Sequence, residues 1–302
     1  MASSLGSSAP SVVVIGNFDG VHRGHQAVLR QARTLADARS LHCVVLTFDP
    51  HPGDVIGRGT PPRLTTLARR IELLREHGAT DVAVESFTME LASWTPERFA
   101  TELLMQRLGT RAVVVGRNFR FGNKRAGDFD ALHALGASLG FEAVAAEVAG
   151  DAEGPFSSTR VRDAVAVGDV ERAARILGRP HALRGVVEHG DARGRTLGFP
   201  TANLGGVEEM LPAYGVYAVR VCREREGTTQ GGVMNIGVRP TVSGMSLRIE
   251  AHLFDFDGDL YGATLGVELI ARLRGEQKFA GIDELRVQIA KDAENARKAL
   301  SA

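Results

Sequence analysis

Apolar residues follow two rhythms along this chain. Up to about residue 182, short β-branched runs recur: SVVVIG (11–16), CVVLTF (43–48), DVAV (81–84), RAVVVG (111–116) and FEAVAA (141–146). Runs that are apolar at consecutive positions suit strands buried on both faces. Helical stretches lie between them. One places Val28, Ala32, Leu35 and Ala36 on one face, and another, LARRIELLREHGA, closes at Gly78. Strand and helix in alternation predict a doubly wound parallel sheet, a Rossmann-like α/β domain.

From about Leu183 the rhythm changes. RGVVEH, GVYAVRV, GGVMNIG, LRIEAHLF and LGVELIARL are separated by Gly, Pro and Asp, as in an antiparallel barrel or sandwich. The last segment carries Ile282, Leu285, Ile289, Ala293, Ala296 and Leu300 at spacings of three and four, which predicts an amphipathic terminal helix capped by Asp283. Gly178 and Pro180, after the helical VGDVERAARILG, mark the seam, so the expected domains are 1–182 and 183–302. No internal repeat links the halves.

Composition narrows the function classes. Thirty-six basic residues balance 36 acidic ones, so no surplus charge advertises nucleic acid or anionic lipid. Cys43 and Cys222 stand far apart without zinc spacing, which fits a reduced, cytoplasmic chain. The start, MASSLGSSAP, lacks the charged and apolar regions of a signal peptide, and no apolar run is long enough to span a bilayer.

Candidate chemistry gathers where strands end. GNFDGVHRGH (16–25) leaves a strand and enters a helix, at the usual ligand crevice of an open parallel sheet. Gly16 and Gly20 permit close backbone approach, and the helix N-terminus favours anions. His22 and His25, one turn apart, can point the same way and donate to phosphate oxygens as charge develops. Taken alone, the stretch also reads as a plain junction with surface histidines, or as a metal site in which Asp19 joins the imidazoles. GRNFRFG (116–122) puts Asn118, with Asp128 nearby, at another strand end, while Phe119 and Phe121 read equally as core. FSSTRVR (156–162) offers Ser157, Ser158, Thr159, Arg160 and Arg162 before a helix, as phosphate ligands or as an ordinary cap.

The combination of HxGH with a distant SSTR resembles the nucleotidylyltransferase superfamily. With TFDPHP and GRNFRFG it looks like the FAD synthetase module of bacterial bifunctional riboflavin kinase/FMN adenylyltransferases. SSTRVR contains no lysine, a departure from the wider superfamily that leaves Arg160 or Arg162 to supply the positive charge. The resemblance implies that His22 and His25 stabilise the adenylyl transition state. It implies ATP contacts from the turn Gly16, Asn17, Phe18, Asp19 and Gly20, and from Asn118, Asp128, Ser157, Ser158, Thr159 and Arg162. Pro50 and His51 fall on the flavin side.

The second half has its own dense motif, GRTLGFPTANL (194–204). Pro200 stiffens the chain before Thr201, and Thr201 and Asn203 alternate, so in an extended segment both face one way. Their hard oxygens suit Mg²⁺ that keeps waters and bridges phosphates, although the same stretch reads as a simple turn. In LRIEAHLF the alternation puts Glu250 on the polar face of a strand, where it can accept a hydroxyl proton or merely pair with Arg248. DFDGDLYG (255–262) lacks the Gly and Glu of a calcium loop and reads as a hairpin turn.

GRTLGFPTAN, YGVYAV, MNIGVRPT, Glu250 and LRGEQKF resemble the riboflavin kinase domain. That implies a six-stranded barrel with Gly194, Arg195, Gly198, Pro200, Thr201 and Asn203 toward ATP and flavin, Mg²⁺ at Thr201 and Asn203, and Glu250 as the base. The expected activity is phosphorylation of riboflavin to FMN followed by adenylylation to FAD. ATP is co-substrate, neither nucleic acid nor membrane is a partner, and a homo-oligomer is compatible with the reading. The competing functions are a kinase with a decayed first domain and a flavin-sensing regulator without turnover.

Overall fold

The computed structural model describes residues 9–189, 199–223, 226–241 and 244–301. The chain forms two compact units, Met1–Ser157 and Ser158–Ala302.

The first unit is a five-stranded parallel sheet of β1 (Ser11–Ile15), β2 (His42–Phe48), β3 (Asp81–Glu85), β4 (Thr110–Val115) and β5 (Glu142–Ala145), in the order β3-β2-β1-β4-β5. All five expected strands are present. Helices α1 (Arg23–Ala38), α2 (Pro52–Val55) and α3 (Leu67–Glu76) follow β1 and β2. Two short turns, α4 (Met89–Ala92) and α5 (Pro96–Arg98), and a π-helical segment, Phe99–Arg107, lead to β4, and α6 (Phe129–Leu139) leads to β5. One sheet face packs Val12, Val14 and Val45 against Leu29, Ala32, Leu73 and Leu74 of α1 and α3. The other packs Val13, Ile15 and Leu46 against Phe99, Leu103, Leu104 and Leu132. Cover on both faces is why these strands carry no polar alternation. A small hairpin, β6 (Gly150–Asp151) and β7 (Gly154–Pro155), ends the unit.

The second unit begins with α7 (Ser158–Ala166) and α8 (Val170–Leu177); α7 packs on α8, and α8 packs on β-strands of the barrel. Val170 lies within the barrel's apolar core, and Arg272 Nη1 donates to Val167 O at 3.1 Å. The barrel comprises β8 (His181–Glu188), β9 (Ala202–Gly205), β10 (Gly215–Arg223), β11 (Thr228–Thr241), β12 (Gly244–Leu253) and β13 (Thr264–Arg274). It closes antiparallel in the order β10-β11-β12-β9-β8-β13.

Inward positions are Leu183, Val187, Ala202, Leu204, Met234, Ile236, Ile249, Ala251 and Val267, so the neighbouring residues on these strands face out. Ala293, Ala296, Ala299 and Leu300 of the C-terminal helix, Ile282–Ser301, cover part of the outer face. Asp283 does not cap that helix. It sits in the first helical turn, while Glu284 Oε2 reaches back to Ala280 N at 2.8 Å.

Candidate functional site

The strand order of the first unit reverses between β1 and β4, so the crevice opens at their carboxyl ends. The turn leaving β1 is strained. Phe18 and Val21 have φ of 52° and 40°, a region that a β-branched residue avoids, and Gly20 sits at φ 82°. The surroundings hold it there. Asp19 accepts hydrogen bonds from the backbone N–H groups of Leu64 (3.0 Å) and Thr65 (3.1 Å), and Gly20 N donates to Thr65 Oγ1 (3.2 Å). Arg70, 7% exposed, donates from Nη1 to Asn17 O at 2.9 Å. Burial lowers the pKa of that guanidinium, partly offset by Asp19 and Asp49. Such strain persists only where neighbours over-determine it, and it gathers at functional sites.

His22 caps α1. Its Nδ1 accepts the His25 backbone N–H at 3.3 Å, which leaves the proton of the neutral ring on Nε2. The two imidazoles stack, with centroids 3.6 Å apart and planes at 22°, and Phe18 meets His25 edge-on at 5.1 Å. His22 is 5% exposed, so the surface-histidine reading does not hold. Burial and, second, the His22 charge hold His25 well below the ordinary imidazole value of 6.5. Its Nδ1 is buried without a partner. The stack requires Gly24, because a Cβ there would stand 2.9 Å from His22 Cε1 and 3.1 Å from Phe156 O.

The other residues singled out in the first unit have distinct placements. The Asn17 amide nitrogen lies 2.9 Å from His51 Nε2, which joins the turn after β1 to the Pro50–His51 stretch after β2. His51 also caps α2 through Gly53 N (3.0 Å). Asn118 places Oδ1 at 2.8 Å from where a Gly116 side chain would begin. Asp128 caps α6 by accepting from Ala131 N at 3.0 Å. Phe121 is buried and Phe119 stacks on it, so this pair belongs to the core. Arg23 lies 4.9 Å from the Phe156 ring centroid, directly before Ser157. Ser158, Thr159, Arg160 and Arg162 occupy the first turns of α7 in the second unit.

The barrel carries a separate site. Asn203 on β9 pairs with Glu250 on β12, which pairs with Asn235 on β11, so three outward side chains form one row across three strands. They line a cavity of about 610 Å³ between the outer barrel face and the C-terminal helix. Its apolar wall includes Val216, Val233, Val238, Phe279, Leu285 and Ile289. A second cavity of about 530 Å³ lies at Asp257–Tyr261, and Thr201 borders both. His252 holds Thr201's neighbourhood in place by donating from Nδ1 to Pro200 O at 2.8 Å. Asn203 Oδ1 is buried and unpartnered. Gly194, Arg195 and Gly198 lie outside the described residues.

Sequence reasoning missed Arg70 and Asn235. The alternation in VMNIG held the signal for Asn235, since Met234 and Ile236 point inward. Arg70 gave none, because it is one of two adjacent arginines on a helix and only the fold buries it.

Residues 6–160 match the family model of FAD synthetase, and residues 177–300 match that of riboflavin kinase. A bifunctional riboflavin kinase/FMN adenylyltransferase from Escherichia coli K12 is 41% identical, with 97% of this chain and 94% of the relative aligned. Its counterpart from Bacillus subtilis strain 168 is 38% identical, covering 95% and 92%. Among solved structures, one from Streptococcus pneumoniae described as a macrolide-efflux protein superposes with a TM-score of 0.88 at 33% identity, covering 97% of this chain and 95% of that one. No helix among the described residues is long and apolar enough to cross a membrane.

Proposed function

The chain belongs to the bifunctional riboflavin kinase/FMN adenylyltransferase family, and from that membership we propose which residues carry each reaction. The enzyme phosphorylates riboflavin to FMN with ATP, then joins FMN to the adenylyl group of a second ATP and releases pyrophosphate, giving FAD. Our assignment gives adenylylation to 1–182 and phosphorylation to 183–302.

In adenylylation an FMN phosphate oxygen bonds to the α-phosphorus of ATP as the bond to the β-phosphate oxygen breaks. His22 Nε2–H and the His25 ring donate to the α-phosphoryl oxygens, whose charge grows in the transition state. The N-terminus of α1 adds its dipole to the same place. Backbone of Gly16–Gly20, with Asn118 and Asp128, frames ATP. Ser157, Ser158, Thr159 and Arg162 take the phosphates, and Arg162 neutralises the departing pyrophosphate. Pro50 and His51 border the flavin.

In phosphorylation Glu250 accepts the proton of the riboflavin 5′-hydroxyl as that oxygen takes the γ-phosphoryl group. Asn203 and Asn235 flank Glu250 in register on the neighbouring strands. Thr201, common to both cavities, stands where a phosphoryl group would pass from nucleotide to flavin. The orphaned Asn203 Oδ1 beside Thr201 fits a hard cation. The hydroxyl of Thr201 and the amide oxygen of Asn203 are hard, neutral donors that would suit a cation keeping water and phosphate ligands, as Mg²⁺ does. When bound, Mg²⁺ neutralises charge on the β- and γ-phosphate oxygens. We place the enzyme in the cytoplasm, where reduced thiols suit two free cysteines, one of them Cys43, whose burial pushes its thiol up to about 11.

One observation carries the division of labour: the stacked histidines lie wholly within the first unit and the Asn203–Glu250–Asn235 row wholly within the second. His22→Ala is expected to stop FAD formation from FMN and spare riboflavin phosphorylation, and Glu250→Ala to do the reverse, read by chromatography of the flavins. A folded variant that loses both activities would sink the assignment. Wild-type protein that makes FMN but no FAD would return the kinase-only reading, and no product at all would return the flavin sensor.

A further inference from the structure

The apolar cluster between the C-terminal helix and the barrel is built mainly of small side chains. Ala293, Ala296, Ala299 and Leu300 lie against Ala218, Val233, Ala271 and Phe254. Such contacts hold a helix down without fixing its height or rotation, because dispersion and apolar burial have no direction. Two contacts differ in kind, and only one is buried. Arg297 donates to both Asp255 oxygens at 3.0 and 3.2 Å, but with side chains 53% and 79% exposed that pair is screened by water and holds the helix weakly. Asp292, 3% exposed, receives Arg274 of β13 in a fork: Nε lies 3.1 and 3.0 Å from its two carboxylate oxygens, and Nη2 donates to Oδ2 at 2.9 Å. Gln288, one turn earlier, donates to Asp292 Oδ1 at 2.8 Å. Arg274 Nη1 donates to Gly275 O at 3.0 Å, and the guanidinium lies 5.6 Å from the Phe279 ring centroid. The strand end, the connector after it and the helix therefore meet at one guanidinium.

All three also wall the kinase cavity. Arg274, Phe279 and Asp292 line it, together with Leu285, Ile289 and Ala293 of the helix, and Glu250 lies in the same lining. Leu285, Ile289 and Asp292 are spaced so that setting the rotation at Asp292 also sets where the two apolar side chains stand over the cavity. A paired, buried charge adds little net stability, since desolvation cancels most of its attraction, but its fork geometry tolerates one arrangement. We propose that Arg274 and Asp292 are positioning residues for riboflavin phosphorylation: their ion pair fixes the helix wall against which the flavin is held for Glu250. This rests on the cavity being the kinase site.

The test separates position from stability. Arg274→Met/Asp292→Leu replaces the pair with apolar groups of similar volume, an exchange that is often neutral or stabilising. The double variant is expected to keep its melting temperature and its FMN adenylylation, while KM for riboflavin rises about tenfold and kcat falls less, as for a wall that has lost its setting. Arg274→Lys, which keeps the charge and loses the fork, is expected to fall between wild type and the double variant in KM. A stable double variant with unchanged KM for riboflavin overturns the proposal. Should that variant fail to fold, Arg274→Lys decides alone, because a folded Lys variant with wild-type KM overturns it equally. Glu250→Ala, assayed alongside, guards the premise: full kinase turnover in that variant would mean the cavity is not the kinase site, whereas its loss beside an unchanged double variant would condemn only the positioning role.

Discussion

The two sites of this enzyme are built by opposite strategies. The histidines to which we assign adenylyl transfer come from one contiguous stretch, His22 to His25, held by a helix cap and a strained turn. The row to which we assign phosphorylation comes from three strands that are neighbours only because the barrel registers Asn203 against Glu250 and Glu250 against Asn235. A local site survives if its turn is kept; a register site depends on the whole sheet, since a slip of one residue would turn every side chain to the other face. Chemistry matches construction. In our assignment, charge spread over a phosphoryl oxygen is met by donors fixed close together, and the carboxylate that accepts a hydroxyl proton stands in a row along one cavity, with Thr201 bordering the second.

The sharpest way to break this comparison is to ask whether the histidines act as one unit. Removal of a donor aimed at developing charge costs about 10²–10³ in rate. Because His22 and His25 stack at 3.6 Å and share a cap hydrogen bond, His22→Ala/His25→Ala is expected to be little slower in FAD formation than the worse single variant. Single-turnover rates with FMN and ATP measure this. Losses that multiply would show two independent donors instead.

Across the register site the effects should be smaller and graded. Asn203→Ala is expected to raise the Mg²⁺ concentration for half-maximal kinase activity by about 10-fold or more, as loss of a ligand or its support does. Asn235→Ala, which frees one side of Glu250, is expected to lower kinase kcat by roughly tenfold with KM for ATP unchanged. Both should leave adenylylation intact. Equal effects on the two reactions would dissolve the contrast between the sites.

Legibility followed the same divide. The five parallel strands announced themselves because burial on both faces leaves runs of consecutive apolar residues, as at Val12–Val13–Val14–Ile15 of β1. The short strand β9 did not, since its four residues sit between Pro200 and Gly206 and look like a turn. HxGH was readable because cap, turn and imidazoles are adjacent in sequence. Glu250 was readable from alternation, but its alignment with Asn203 and Asn235 follows from barrel closure, which no local pattern encodes. The helix wall was half legible: Leu285 and Ile289 fell on the expected stripe, yet Asp292 in that stripe is explained only by Arg274, eighteen residues earlier on a strand.

Arg70 tests how far the local site leans on its fold. It carries a buried charge that donates to backbone oxygens, Asn17 O at 2.9 Å and Phe48 O at 3.5 Å, with the Asp49 carboxylate 3.9 Å away. Arg70→Met leaves those carbonyls less satisfied, at a cost of about 1–3 kcal/mol to the first unit. Adenylylation should fall by severalfold and phosphorylation should not change, with denaturant unfolding monitored beside both assays. An unaltered midpoint and unaltered FAD formation would show that the turn holds its strained shape without the clamp.

The smallest expected effect is also the most specific. In the folded protein His25 is held well below 6.5, first by burial and then by the His22 charge, whereas the unfolded chain titrates near 6.5. Above that pH both states carry a neutral ring and the residue adds no pH dependence. Below it the unfolded state binds a proton that the folded state refuses, so stability is lost as pH falls, until the depressed folded-state value is reached. The slope for one proton is about 1.4 kcal/mol per pH unit. His25→Asn removes the titrating group and keeps a polar side chain, so the difference in melting temperature between wild type and variant should be constant above about pH 7 and shift against wild type as the pH drops toward about 5.5. Carboxylates elsewhere titrate in both proteins and cancel in that difference. A gap that does not change with pH would mean that the ring is not held neutral, and the stacked pair would then carry a charge into the adenylyl site.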